Sequence, residues 1–159
     1  MSPSLLLGTT ERVALTDLVH RYAALVDAGE VAAVAALFTE DGVLATPSPP
    51  RVLDPDTEHH GRAAVVDALG ALAAMDATFH AVTGAVFDTG HDAGTATGRV
   101  NGFAHHVSRR HGEPVDLVWA VRYRDDYVHV DAPDVWRFSR RAVHVAFVET
   151  RPLKVARTP

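Results

Sequence analysis

Two residues of this sequence, Asp27 and His80, have the side chains and the surroundings needed to exchange a proton with a small molecule. Asp27 falls in the last turn of a predicted helix, where the helix dipole disfavours a carboxylate by roughly 0.3–1 kcal/mol, so another interaction is expected to hold it there. A carboxylate that reaches the His80 ring would fix its tautomer, which is the usual arrangement of a general base. The alternative is a solvated carboxylate at a helix end and a core imidazole held by some other hydrogen bond.

Two further side chains could complete such a site. Tyr22 lies five residues before Asp27, about 140° around the helix axis, so both can flank one cavity without touching. Its alternative role is that of a core aromatic. In the last predicted strand the parity of the apolar residues changes near Arg140 and Arg141, which indicates a β-bulge that could turn one guanidinium inward. The alternative there is a pair of solvated arginines on an edge.

Neither a metal site nor a cofactor is expected from the residue types present. The chain contains no cysteine, which excludes disulfides, thiolate metal ligands and cysteine nucleophiles. The adjacent pairs His59-His60 and His105-His106 would point to opposite faces of a strand and cannot readily chelate one ion. The glycines of segment 98–102 lack the spacing and the strand-to-helix setting of a phosphate loop or a nucleophile elbow.

Length and charge restrict the function further. With 159 residues the chain is predicted to form one domain, with a core at about 11–150 and tails at 1–10 and 151–159. A net charge of −5 argues against nucleic-acid binding, which needs a clustered excess of Lys and Arg. No stretch approaches the roughly 20 apolar residues of a membrane span, and the first ten residues lack the features of a secretory signal. A cytoplasmic protein without membrane contact is therefore expected.

The elements that must position these residues follow from the apolar periodicity. Steps of three and four predict three helices, at about 11–28, 30–38 and 61–75. Alternating residues predict a short strand at 43–46 and four long ones at 78–88, 95–108, 115–130 and 135–148. The proline-rich segment 47–60 has no apolar period and is predicted to be a loop that could close over a pocket.

Helices followed by strands with short connections predict an α+β fold with a mainly antiparallel sheet. Strands this long must curl under their own twist, so three N-terminal helices can cover one side of the bent sheet and form a cone-shaped α+β barrel around one pocket. On its strand, His80 is expected to share a face with Val82 and Val86 and not with Phe87. The outer face would leave apolar residues exposed, which predicts a homodimer or a higher homo-oligomer. These residues are Val143, Val145 and Phe147.

Five segments together resemble a known family. They are YAALVD at 22–27, ALFTEDG at 36–42, TFH at 78–80, YRD at 123–125 and VWRF at 135–138. In this order they look like the SnoaL-like branch of the nuclear transport factor 2-like superfamily, over residues 11–150. The resemblance implies the cone-shaped fold, which hosts dehydratases, isomerases, cyclases, epoxide hydrolases and non-catalytic binders.

The resemblance also implies roles for individual residues. In scytalone dehydratase and bile-acid dehydratase of this superfamily, a His–Asp pair takes a proton next to a carbonyl, and a tyrosine polarises that carbonyl or positions water. Here this implies His80 as the proton-transfer group, Asp27 as its orienter and Tyr22 as a donor to the developing enolate oxygen. Arg141 is a further catalytic candidate. The expected substrate-binding residues are Asn101, Tyr123, Asp125, Trp119 and His105, three of which (His105, Asn101 and Asp125) are candidates for the second active-site histidine and the extra tyrosine of scytalone dehydratase.

The function implied is that of a cofactor-independent lyase or isomerase. It would remove a proton next to a carbonyl on a hydrophobic ring substrate, such as a polyketide or a steroid, and so cause dehydration, isomerisation or cyclisation. One alternative is epoxide opening, with Asp27 activating a water molecule held by Asn101 or Tyr123. Another is a non-catalytic module that binds a small apolar ligand or pairs through its sheet, in which contact between Asp27 and His80 is structural only.

Overall fold

The structure is a computed structural model that describes residues 6–131 and 134–156. Its helices are α1 (Thr9–Asp27), α2 (Val31–Ala36) and α3 (Gly61–Gly70), and a short 3₁₀ helix (Ala71–Ala74) continues α3. The strands are β1 (Phe38–Thr46), β2 (Thr57–His60), β3 (Ala77–Thr89), β4 (Thr95–Arg110), β5 (Glu113–Val130) and β6 (Val135–Pro152). They form one sheet in the order β2-β1-β6-β5-β4-β3.

The sheet is mixed and open, with β2 and β3 at its two edges. Strand β1 runs parallel to β6, and the other neighbouring pairs in the described part of the chain are antiparallel. Helix α1 packs on β3 and helix α3 packs on β1, so the helices cover one face of the sheet. The predicted α+β cone with a mainly antiparallel sheet is confirmed. None of the helices within the described ranges is long and apolar enough to cross a membrane.

The core forms where the apolar stripe of α1 meets the inner face of the sheet. Leu15, Val19 and Tyr22 are buried at the helical spacing seen in the sequence. The Tyr22 ring packs edge-on against Phe38 and Phe138, with centroids 6.3 Å and 5.8 Å away. Burying side chains of this size contributes about 1.5–3 kcal/mol each, and this stripe therefore fixes the position of α1 on the sheet.

The first strand begins earlier than the sequence indicates. Helix α2 ends at Ala36, and β1 starts at Phe38, whereas the sequence predicts a strand only from Val43. The residues up to Gly42, which look like a turn, form an irregular stretch where the pairing of β1 with β6 shifts register. A Cβ at Gly42 would lie 2.9 Å from the Cβ of Phe38, so only glycine fits this close approach.

Two other boundaries also differ from expectation. The third helix stops at Gly70 rather than near residue 75, because the chain tightens into the 3₁₀ helix. The proline-rich segment is not a loop throughout, since its last four residues form β2 and pair antiparallel with β1. The rest of it is tied to β6, where the Val145 amide donates to the Leu53 carbonyl over 2.8 Å.

A β-bulge in β3 changes the faces expected from strict alternation. Val82 pairs with Gly102 and Gly84 pairs with Asn101, so Thr83 is an extra residue. Beyond it the parity reverses: Phe87 is 4% exposed and joins the core, whereas Val86 is 53% exposed. The expectation that Val86 shares the face of His80 is therefore wrong.

A second bulge, in β6, corrects the expected outer face. Val121 pairs with Val145 and Ala120 pairs with Phe147, so Ala146 is the extra residue. Val143 and Val145, before this bulge, lie in the core, and Phe147, beyond it, is the one of the three predicted residues that is exposed.

Candidate active site

The last residue of α1 is held by the first residues of β3. Gly29, with a φ of +72°, lets the chain leave the helix directly after Asp27. The Asp27 carboxylate accepts hydrogen bonds from the Thr78 hydroxyl at 3.0 Å, the His80 amide at 2.7 Å and His80 Nδ1 at 2.6 Å. The structure thus brings together the two residues that the sequence singles out. The contact also explains why a carboxylate is placed at an unfavourable helix end.

These hydrogen bonds determine the ionisation of Asp27. Burial by itself would raise the pKa of the carboxyl, but the hydrogen bonds from His80 and Thr78 outweigh it and hold the pKa of Asp27 below its ordinary value. Asp27 is therefore ionised at neutral pH. An ionised carboxylate can only accept, so Nδ1 of His80 carries a proton and Nε2 of the neutral ring is left as the basic nitrogen.

His80 lines a small internal cavity between α1 and the sheet. Its walls include Val19 and Tyr22 of α1, and Tyr123 and Arg141 of the sheet. The volume is about 10 Å³, close to the minimum of about 10–15 Å³ that one water molecule needs. A ring substrate can therefore enter only if these side chains move apart. A wider groove of about 1020 Å³ lies beside the first half of α1 and is not lined by Asp27 or His80.

Arg141 reaches this cavity because β6 contains a bulge. Tyr127 pairs with Phe138 and Asp126 pairs with Arg140, so Ser139 is an extra residue. The predicted bulge near the two arginines is thus present, and it turns Arg141 inward. Arg141 is 1% exposed, whereas Arg140 faces outward and pairs with Glu58.

Asp125 neutralises the buried guanidinium. Its carboxylate accepts from Arg141 Nε at 3.0 Å and Nη2 at 2.9 Å, and it also accepts from the Tyr127 hydroxyl at 2.8 Å. Burial by itself would lower the pKa of Arg141, but the ion pair with Asp125 outweighs it and raises that pKa above its ordinary value. In the structure Asp125, expected to bind substrate, contacts Arg141 and Tyr127.

Tyr22 and Tyr123 enclose the guanidinium from two sides. The Arg141 carbon Cζ lies 4.2 Å from the Tyr22 ring centroid and 4.1 Å from that of Tyr123, a cation–π arrangement. Burial raises the pKa of both tyrosines, so their hydroxyls remain protonated and can donate hydrogen bonds. Both residues line the cavity with His80.

His106 is a member of the site that the sequence analysis did not identify. It is 5% exposed, and its ring centroid lies 6.0 Å from that of His80. Its Nδ1 donates to the Leu117 carbonyl at 3.1 Å, which leaves Nε2 unprotonated, and burial lowers the pKa of His106. The signal is present in the sequence, because His106 shares parity with the core residues Val100 and Ala104.

Trp119 extends the site beyond the two histidines. Its ring centroid lies 4.7 Å from that of His106. The indole nitrogen is buried and has no hydrogen-bond partner within residues 6–131 and 134–156. It is therefore a free donor near the His106 ring.

Two predicted substrate-binding residues lie outside the site. Asn101 is exposed and pairs with Arg122 on the outer face of the sheet. His105 also faces outward, where its Nδ1 bonds to Asp116 at 2.6 Å. Neither residue faces the cavity, because β4 alternates without interruption and its inward positions are those that share the parity of His106. Among the described residues, no group of three or more His, Asp or Glu side chains is arranged to hold a metal ion.

The sequence also matches a known family. A family model described as a SnoaL-like domain covers residues 9–142. The chain belongs to the SnoaL-like domain family. This result confirms the resemblance to SnoaL-like proteins. Among curated proteins, none matches the chain.

Solved structures resemble this SnoaL-like protein in fold. One is a candidate scytalone dehydratase from Novosphingobium aromaticivorans DSM 12444, with 23% identity, a TM-score of 0.72, and coverage of 94% of this chain and 91% of that one. Another is a type 2 hexachlorocyclohexane dehydrochlorinase, LinA, with 16% identity, a TM-score of 0.73, and coverage of 94% and 93%. A third is Aln2 from a Streptomyces species, with 19% identity, a TM-score of 0.67, and coverage of 88% and 93%. At these identities the likeness establishes the fold alone.

Proposed function

We propose that this SnoaL-like protein is a cofactor-independent lyase or isomerase that removes a proton next to a carbonyl on a hydrophobic ring compound. The observation that carries the proposal is the 2.6 Å contact between Asp27 and His80 Nδ1. It leaves Nε2 as a neutral base, and the resulting imidazolium would be stabilised by the adjacent carboxylate. Asp27 is thus a positioning residue, and His80 is the group that takes the proton.

The opposite side of the reaction requires donors for the charge that develops on the carbonyl oxygen. Tyr22 and Tyr123 keep protonated hydroxyls beside the same cavity, and Arg141, whose charge is paired with Asp125, also lines it. Donors of this kind accelerate a reaction only if they face the position of the developing charge. The names of two structural neighbours, a dehydratase and a dehydrochlorinase, describe eliminations, which begin with the same loss of a proton. This agreement supports a lyase.

His106 lies where it can position a substrate hydroxyl or a water molecule beside His80. Its Nε2 is unprotonated and its ring adjoins that of His80. In this proposal His106 accepts a hydrogen bond from a substrate hydroxyl or a water molecule and so positions it. Epoxide opening is less well supported, because Asn101 lies on the outer face and both oxygens of Asp27 already accept hydrogen bonds.

Solvent-deuterium exchange tests the proposal. Ring ketones such as 1-tetralone and 2-tetralone are incubated in D₂O with the protein, and loss of the proton next to the carbonyl is followed by NMR. We expect exchange above the buffer rate for the wild type and none above it for His80→Gln. Exchange that persists in His80→Gln would contradict the assignment of the base. If the wild type binds the ketones and exchanges the proton of none of them, the non-catalytic alternative is favoured.

We also propose that the protein forms a homodimer through the outer face of its sheet. Phe103, Ala120 and Phe147 lie in one row across β4, β5 and β6 on this face. Phe79 is 63% exposed and Phe147 is 51% exposed. A second copy would remove these rings from water, which is the usual fate of an exposed aromatic patch.

A further inference from the structure

The guanidinium of Arg141 has hydrogen-bonding capacity that the protein does not use. Of its five N–H groups, one on Nε and one on Nη2 are directed to Asp125. Tyr22, Tyr123 and Phe138 contact the guanidinium through their rings, with Cζ 4.2, 4.1 and 4.5 Å from the three ring centroids. Within the described ranges no acceptor contacts the other three N–H groups, and Arg141 lines the cavity. A ligand that enters the cavity can therefore accept a hydrogen bond from this cation.

The charges around the cavity restrict what that ligand can be. Asp125 cancels the charge of Arg141, and Asp27 adds a second carboxylate beside His80. In the form in which His80 can act as a base its ring is uncharged, and the four groups then sum to about −1. A carboxylate ligand would thus enter a buried space that is already negative, and its desolvation would not be compensated.

An uncharged oxygen meets no such penalty. A carbonyl or a hydroxyl can accept from Arg141 without bringing a net charge, and it loses less hydration on entry. The walls are suited to a flat, apolar body, since they include the rings of Tyr22 and Tyr123 and the aliphatic side chains of Val19 and Val121. The cavity must widen for such a body, because its present volume is about 10 Å³.

We propose that the Arg141–Asp125 pair makes this cavity selective for uncharged ring compounds whose carbonyl or hydroxyl oxygen accepts a hydrogen bond from Arg141, and that it excludes carboxylates. Asp125 is thus the residue that determines specificity. A cation left unpaired would prefer an anion, whereas a cation paired with Asp125 offers its N–H groups without a net attraction for negative charge. The inference rests on the proposed function in one respect, since this oxygen is the one on which negative charge would develop.

Binding of two matched probes to the wild-type protein tests the inference directly. 2-Naphthol is uncharged at neutral pH, and 2-naphthoate has the same ring system and is anionic. Isothermal titration calorimetry is expected to give an affinity for 2-naphthol at least tenfold higher than for 2-naphthoate. Equal affinities, a preference for 2-naphthoate, or no binding of 2-naphthol at millimolar concentration would overturn the inference.

A substitution then assigns the selectivity to the ion pair. Asp125→Asn keeps the shape of the side chain and removes its charge, so the affinity for 2-naphthoate should rise at least tenfold. The matched control is Tyr127→Phe, which removes the other hydrogen bond to Asp125 and leaves both charges in place. This control should keep the wild-type preference. A change of preference as large in Tyr127→Phe as in Asp125→Asn would contradict the role given to the charge.

A second variant decides the matter if Asp125→Asn does not fold. The double substitution Arg141→Met with Asp125→Leu removes both charges and leaves no buried charge unpaired. It should lower the affinity for 2-naphthol at least tenfold, and an unchanged affinity would refute the hydrogen bond from Arg141. Selective binding without ring-ketone exchange would refute only the proposed catalytic function. Exchange combined with equal affinities for the two probes would refute only the present inference.

Discussion

Replacing Asp27 with asparagine changes one atom and tests whether the Asp27 carboxylate controls the tautomer of His80, on which this Asp27–His80 dyad depends. The carboxylate holds the proton of His80 on Nδ1. An asparagine can present its NH₂ group to Nδ1, which would move the ring proton to Nε2 and remove the base from the cavity. A positioned general base typically contributes about 10²–10⁴-fold, so we expect ring-ketone exchange to fall by about 10²–10⁴-fold in Asp27→Asn.

The same substitution should have a modest effect on stability. Three donors converge on the two carboxylate oxygens, and asparagine can replace only one of these oxygens. Losing one hydrogen bond to a charged group costs about 1.5–3 kcal/mol, and water can offset part of it because the Asp27 side chain is 21% exposed. We therefore expect a loss of about 1–2 kcal/mol, or about 2–8 °C in melting temperature for a chain of this size.

Two measurements on the same samples separate the effects. Thermal melting gives stability, and NMR in D₂O gives exchange of the ketone proton. Thr78→Val is the matched control, because it removes one donor to Asp27 and leaves the His80 contact in place. It should lower the free energy of unfolding by about 1 kcal/mol while keeping the exchange rate within tenfold of the wild type. Wild-type exchange in Asp27→Asn would refute the reasoning, since a purely structural carboxylate affects melting alone.

Three further predictions concern neighbouring groups. The pKa of buried His106 is lowered, so below about pH 6.5 the unfolded chain takes up a proton that the folded protein does not. Urea unfolding should therefore show the free energy of unfolding falling as the pH is lowered from about 7.5 to about 5.5, and the fall should be smaller in His106→Phe. Equal falls in the two proteins would contradict this. Arg141→Met leaves Asp125 buried and unpaired, which should cost about 3–5 kcal/mol, and calorimetry should show most of this loss recovered when Asp125→Leu is added. Phe147→Glu should convert a dimer into a monomer in sedimentation velocity at micromolar concentration, and a wild-type protein that is already monomeric would disprove the outer-face interface.

The sequence predicts much of the fold because periodicity and burial agree over most elements. The stripe of α1 appears in the structure as expected, and Asp27 lies next to His80. The bulge at Ser139 is also detectable from the sequence, because polar arginines interrupt the apolar parity on either side of it. This feature places Arg141 rather than Arg140 in the cavity.

The parts that could not be predicted depend on features that leave no parity signal. Around the bulge at Thr83 both faces of β3 carry apolar residues, so nothing in the sequence shows that Phe87 and not Val86 is inside. The bulge at Ala146 is hidden in the same way, between Val145 and Phe147. The cavity is narrow because residues of five elements converge on it, and this convergence has no sequence signature.

The position of His106 differs from these cases. The adjacent histidines draw attention as a possible metal pair, yet strand alternation on β4 identifies which of the two is inside. The small inward residues Gly102 and Ala104 leave room for its ring beside His80. Parity compared along the whole strand selects His106 and rejects His105.

The tautomer of His80 tests the central claim most directly. Nitrogen-15 NMR of histidine-labelled protein distinguishes a protonated ring nitrogen from a bare one, and comparison of the wild type with His80→Gln assigns the signals. We predict that the neutral ring of His80 carries its proton on Nδ1 with Nε2 bare, and that this preference is lost in Asp27→Asn. A wild-type His80 protonated on Nε2, or a tautomer that is the same in Asp27→Asn, would contradict the dyad and the function proposed from it.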